Sequence, residues 1–205
     1  MSDELWRWDA VRTAKAIRTG AISSREAAGS CLARLEAVNP YINAVVDVLA
    51  DDALAAADAA DAALRRGDTP GPLHGVPVTV KVNVDYAGRA STNGVVAFKD
   101  AVAAEDSASV ANLRKAGAVI VGRTNVPAFS TRYFTDNALH GRTLNPWAPD
   151  RTPGGSSGGA ALMRSLRATR AIRGGCRRPP RGRRRSGRSS SPWSRRLPIP
   201  LSTRP

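Results

Sequence analysis

Residues 73–83 read Leu-His-Gly-Val-Pro-Val-Thr-Val-Lys-Val-Asn, and within them Val76 to Val82 form a short apolar run of the kind that becomes a buried strand. Pro77 has no N–H to give to a ladder, which suits the first residues of a strand, and Lys81 falls near its end. Further on, Asp106 or Ser107 can start a helix through Ala116, and Gly117 ends it. Ala118 to Val121 is then a second continuous apolar run, finishing at Gly122. Strand, helix, strand with apolar strands predicts an α/β layer architecture with a largely buried sheet, and leaves strand order and direction open.

Upstream, Val11, Ala14 and Ile17 recur at three-residue spacing between Asp9 and Thr19, and Gly20 follows, which predicts a short amphipathic helix. Ser23 with Glu26 has the form of a capping box, and Ala28, Cys31, Leu32, Leu35 and Val38 line one face before Pro40. Ile42 to Leu49 is rich in Val and predicts a strand, after which Asp51 can cap an Ala-rich helix reaching Arg66. Gly67 to Gly75, with Pro70, Gly71 and Pro72, reads as a loop leading into the first quoted strand. Downstream, Asn145 to Ala161 reads as a tight loop.

A chain of 205 residues with 42% hydrophobic content is long enough for one domain with a core. Its net charge of +14 would suggest an anionic partner, but residues 1–163 hold 17 Lys+Arg against 17 Asp+Glu, whereas residues 164–205 hold 14 Arg and no acid. The whole excess sits in a segment of Arg, Pro, Ser and Gly, for which we expect no packed structure. Cys31 and Cys176 lie far apart without metal-ligand spacing, the first nine residues have no apolar core, and no run approaches membrane-spanning length. These features predict a soluble cytoplasmic protein with no membrane partner.

Two features could carry chemistry. A lysine at the end of an apolar strand loses hydration and must pair or become neutral, and a neutral lysine is a base; the alternative is an edge-strand lysine facing water. The run Gly154-Gly155-Ser156-Ser157-Gly158-Gly159 lets backbone turn sharply and brings amide N–H groups near a developing negative charge. A flexible Gly/Ser linker is the competing reading, and a P-loop is excluded because no Gly-Lys-Ser/Thr ending is present. His74 and His140 read as loop or packing residues, Trp6, Trp8 and Trp147 as packing anchors, and no metal or cofactor is implied.

Taken together, Leu73 to Asn83, Ser107 to Asn125 and Pro153 to Ala161 resemble the amidase-signature family. The resemblance implies part of that fold, a mixed sheet flanked by helices, over most of residues 5–163. It implies hydrolysis of carboxylic amide C–N bonds on a small-molecule substrate by a Ser-Ser-Lys triad. Lys81 aligns with the base, and Ser156 with the serine that sits in a cis peptide and bridges lysine and nucleophile. Gly154, Gly155, Ser157, Gly158 and Gly159 support the loop, while Leu113 to Asn125 is scaffold. Val82 departs from the pattern, since many relatives carry an acidic residue after the lysine.

The family's nucleophilic serine lies roughly two dozen residues beyond the bridging one in a Gly-Gly-Ser turn, and the covalent step needs it. Here the corresponding stretch reads Arg177-Arg178-Pro179-Pro180-Arg181-Gly182, Ser165 is too near, and Ser186, Ser189, Ser190 and Ser191 lie among arginines. No nucleophile is assigned. The expected organisation is therefore residues 1–163 as the N-terminal part of an amidase-signature domain and residues 164–205 as a disordered or out-of-frame tail. On this reading the chain is truncated and inactive, its tail arising from a frameshift in a GC-rich gene. Two alternatives stand beside it: a glutaminase-like subunit of a transamidation complex, and a basic arm binding nucleic acid or an anionic surface. The arm is disfavoured because only Trp193 is interleaved with the arginines and no recognition fold is visible. Oligomeric state is left open.

Overall fold

A computed structural model of the chain describes residues 4–148 and 150–165; the expectations for the basic tail beyond Ser165, Cys176 and Trp193 included, fall outside the described residues. The first helix, α1 (Ala10–Arg18), is capped by the Asp9 carboxylate, which accepts from the Arg12 N–H. The second, α2 (Ser24–Ile42), starts on the capping box read from the sequence, with Ser23 accepting from the Glu26 N–H and Glu26 accepting from the Ser23 N–H.

That helix does not stop at Pro40. Proline removes one intrahelical donor, but in the last turn the cost is small because termination follows at once. Asn43, at φ 50° and ψ 49°, ends the helix in the left-handed region. Asn39 then takes over, its side chain accepting from the N–H groups of Ala44 and Val45 and donating to the Val45 carbonyl. Consequently the expected strand from Ile42 shrinks to β1 (Val45–Val48), with Ile42 inside α2. The next helix, α3 (Ala50–Arg65), begins at Leu49 without a side-chain cap, so Asp51 sits in its first turn beside the helix dipole and does not cap it.

The strand β2 (Pro77–Lys81) starts on Pro77 and ends on Lys81. Ser107 caps α4 (Ala108–Lys115), and β3 (Val119–Thr124) follows. Gly122 was expected to end that strand, yet β3 continues through Arg123 and Thr124. At Gly122 a Cβ would lie 2.7 Å from Val45 Cγ1 and 3.0 Å from the Asp47 carbonyl oxygen, so glycine here serves close approach of β1. The sheet order is β1-β3-β2, with β1 antiparallel and β2 parallel to β3, which makes it mixed.

Alternation along β3 sorts the core onto two faces. Val119 and Val121 pack with Ala28 and Leu35 of α2, Val45, and Ala53 and Ala57 of α3. Ile120 packs with Leu49, Val80, Tyr86 and Val110 of α4 on the other. A third cluster joins Val38, Ile42 and Ala44 to Leu162 of α5 (Gly158–Ser165). This last contact seats the glycine turn against the sheet's end, and α5 carries the chain past the Met163 boundary read from the sequence.

Candidate active site

Lys81 is the last residue of β2 and lies opposite Thr124 in the parallel ladder. The Val82 N–H donates to the Thr124 carbonyl at 3.0 Å, so the chain stays tied to β3 just past the lysine. Lys81 is half-buried, and desolvation draws its pKa below the ordinary lysine value. Its Nζ lies 3.2 Å from the Ser156 Oγ, across 75 residues of sequence. Ser156 is itself half-buried and follows a cis Gly155–Ser156 peptide. The two groups that the sequence singled out therefore meet in space, at proton-transfer distance.

Each glycine of the turn answers to a particular neighbour. Gly154 holds φ +90°, which favours glycine. A Cβ on Gly155 would come 2.6 Å from the Phe134 backbone nitrogen, and one on Gly158 would come 2.2 Å from Thr135 Oγ1. At Gly159 it would come 2.5 Å from the Ala44 carbonyl oxygen and 2.8 Å from the Asn125 nitrogen. Gly158 and Gly159 were expected in the loop but open α5, where Ser157 is exposed and its carbonyl accepts from the Ala161 N–H at 2.9 Å.

A buried polar network, which the sequence did not reveal, ties these pieces together. Asn137 donates to Asn125 Oδ1 and the Val126 carbonyl and accepts from the His140 N–H. Asn125 donates to Thr143 Oγ1 and the Gly141 carbonyl, and Thr143 donates to the Asn43 carbonyl. Thr135, 1% exposed, donates to the Gly154 carbonyl and accepts from the Gly158 N–H. Single Asn and Thr residues in irregular segments carry no periodic signal, so only the folded chain brings them together.

The remaining candidates sit apart from this pair. His74 Nε2 lies 3.0 Å from the Ala60 carbonyl oxygen, and His140 Nε2 lies 3.0 Å from Thr92 Oγ1, with its pKa lowered by burial and then by Arg123. Trp6 stacks with Arg7 and Arg34, and Trp8 with Arg12. Trp147 is 58% exposed, so it does not anchor packing as expected. Among the described residues no group of three or more His, Cys, Asp or Glu side chains could hold a metal, and no helix is long and apolar enough to cross a membrane.

The family model described as Amidase matches residues 26–169. Indoleacetamide hydrolase of Bradyrhizobium diazoefficiens is 58% identical over 156 residues, covering 76% of this chain and 30% of that protein. A glutamyl-tRNA(Gln) amidotransferase subunit of Halorhodospira halophila is 41% identical over 159 residues, covering 78% of this chain and 33% of that protein. The chain thus spans about a third of the length of the curated relatives it matches. Among solved structures, a bacterial aryl acylamidase of the amidase signature family superposes with a TM-score of 0.72 at 34% identity, covering 76% of this chain and 33% of that one. Fatty acid amide hydrolase superposes with a TM-score of 0.75 at 28% identity, covering 79% and 29%. With its α/β mixed sheet, and with the family model spanning most of its length, the chain belongs to the amidase family.

Proposed function

We propose that residues 1–163 carry the proton-relay half of an amide-hydrolysing site, with Lys81 as base and Ser156 as bridge, and that the chain as written does not turn over. The observation that carries this reading is the 3.2 Å separation of Lys81 Nζ and Ser156 Oγ. Desolvation favours the neutral amine, which can take a proton from the Ser156 hydroxyl, and Ser156 can in turn take one from an attacking serine. Addition of that serine to an amide carbonyl expels the amine, and water releases the acid. Residues 177–182 supply no serine for the attack, so the relay has no nucleophile to serve.

For the ancestral substrate we favour small arylacetamides. The relative at 58% identity is an indoleacetamide hydrolase. Phe134, 42% exposed, lies in the segment whose backbone touches Gly155, and Phe129 and Tyr133 of the same segment are also exposed. The transamidation alternative rests on relatives at 41% identity and predicts co-purification with partner subunits. We propose a cytoplasmic setting for either reading, because Cys31 and Cys176 lie far apart in sequence, without the spacing of a disulfide framework. We attribute the Arg-rich residues 164–205 to a frameshift; absence of a Gly-Gly-Ser turn in the other two reading frames after the Met163 codon would count against it.

The test is ammonia release from phenylacetamide and indole-3-acetamide by the purified chain. No release above the Lys81→Ala variant is expected. Release that Lys81→Ala abolishes would overturn the inactivity.

A further inference from the structure

We propose that Thr135 is a positioning residue for the Lys81–Ser156 pair, its buried hydroxyl clasping the glycine turn on both sides of Ser156. The inference rests on the reading of that pair given above and adds a residue to it. The Thr135 Oγ1 donates to the Gly154 carbonyl at 3.0 Å and accepts from the Gly158 N–H at 3.1 Å. One hydroxyl thereby bridges the residue two before Ser156 and the residue two after it. Its donor and one lone pair are both used, and it is 1% exposed, so water does not compete for either bond.

The surroundings leave this hydroxyl little freedom. A Cβ on Gly158 would lie 2.2 Å from Thr135 Oγ1 and 2.9 Å from Thr135 Cβ, so glycine at 158 is what gives the threonine its place. On the other side of the turn, Gly155 abuts the backbone of Arg132 and Phe134, just before Thr135 in sequence. The 132–135 segment therefore holds the turn by backbone contact at Gly155 and by hydrogen bonds at Gly154 and Gly158. Lys81 approaches from β2, a separate element, so its distance to Ser156 depends on how firmly this segment holds the turn. Release of the clasp would let Ser156 drift and water reach the amine.

The test uses the whole chain and needs no turnover. Lys15, Lys81, Lys99 and Lys115 are the lysines of the sequence, so trace acetylation across a pH series with site-resolved mass spectrometry gives each amine its own reactivity midpoint. In the parent chain the Lys81 midpoint lies below the ordinary lysine value. Thr135→Val, which keeps shape and removes the hydroxyl, moves it upward by about one pH unit, a tenfold change in the proton equilibrium. Gly158→Ala, which breaks the clasp from the other side, moves it likewise. Thr135→Ser restores the parent value, and Lys15 and Lys115 stay put throughout.

Ser156→Ala separates the two layers of the reading. If it moves the Lys81 midpoint while Thr135→Val and Gly158→Ala leave it at the parent value, the positioning role is wrong and the pairing survives. If Ser156→Ala itself changes nothing, the pairing fails and the proposal with it. Should Thr135→Val not fold, Gly158→Ala against Thr135→Ser decides the matter by the same midpoint.

Discussion

Arg123 is 1% exposed, and its guanidinium is spent on backbone. It donates to the carbonyls of Val82 and Val84, which flank and follow the lysine's strand, to that of Ala90, and to the Asp47 carboxylate at 3.3 Å. Burial lowers its pKa and Asp47 opposes the shift, but a guanidinium keeps its charge at any working pH. Arg123→Ala should cost about 3–5 kcal/mol in urea unfolding, because it strands several buried acceptors. Arg123→Lys should cost about 1–3 kcal/mol, since one ammonium cannot span the carbonyls that a fork reaches. Gly155→Ala should cost about 1–3 kcal/mol, through the forced approach to Phe134, with no loss of helix content by circular dichroism. At this scale the sequence marked Lys81, Ser156 and the glycines, because strand-end lysine and glycine turn are local patterns. Arg123 lay within the scaffold run, and its clasp of loop carbonyls depends on three segments distant in sequence.

Among the elements, α2 shows best what a local pattern can decide. The Ser23–Glu26 reciprocal cap was legible because all its groups lie within one turn. Ser23→Ala should lower stability by about 1 kcal/mol at neutral pH. The backbone N–H of Ser23 and then its hydroxyl hold the Glu26 carboxylate below its ordinary pKa. The folded-state pKa is the lower one, so the contribution is complete above the unfolded value near 4.5 and is lost as pH falls through the folded value. Glu26→Gln should flatten that acid limb in a series of melting temperatures. The far end of α2 misled, because Pro40 and the Val-rich run both suggest an earlier stop. Asn39 and left-handed Asn43 moved the boundary, through hydrogen bonds to residues up to six positions on. In β3, likewise, Gly122 reads as a terminator until β1 is seen lying against it.

For the molecule as a whole, the layered arrangement follows from the apolar runs, whereas the strand order could not be read, since Val45 pairs with Thr124 across the chain. Charge is equally a whole-chain property. Residues 1–163 balance to zero while residues 164–205 hold 14 arginines, so deleting residues 166–205 should move elution from a heparin column to much lower salt. Retention unchanged by the deletion would place the polyanion affinity in residues 1–165. The middle strand of the sheet is also the last of the three to be synthesised. On a ribosome, β1 and β2 emerge with nothing between them, and the sheet cannot close until residue 124 has cleared the exit tunnel. Until then only the short-range contact of α2 with α3 shelters the apolar side chains, and such late, long-distance pairing slows folding and prolongs exposure to proteases. Nascent chains stalled before residue 119 should accordingly be digested far faster than chains stalled well past 165.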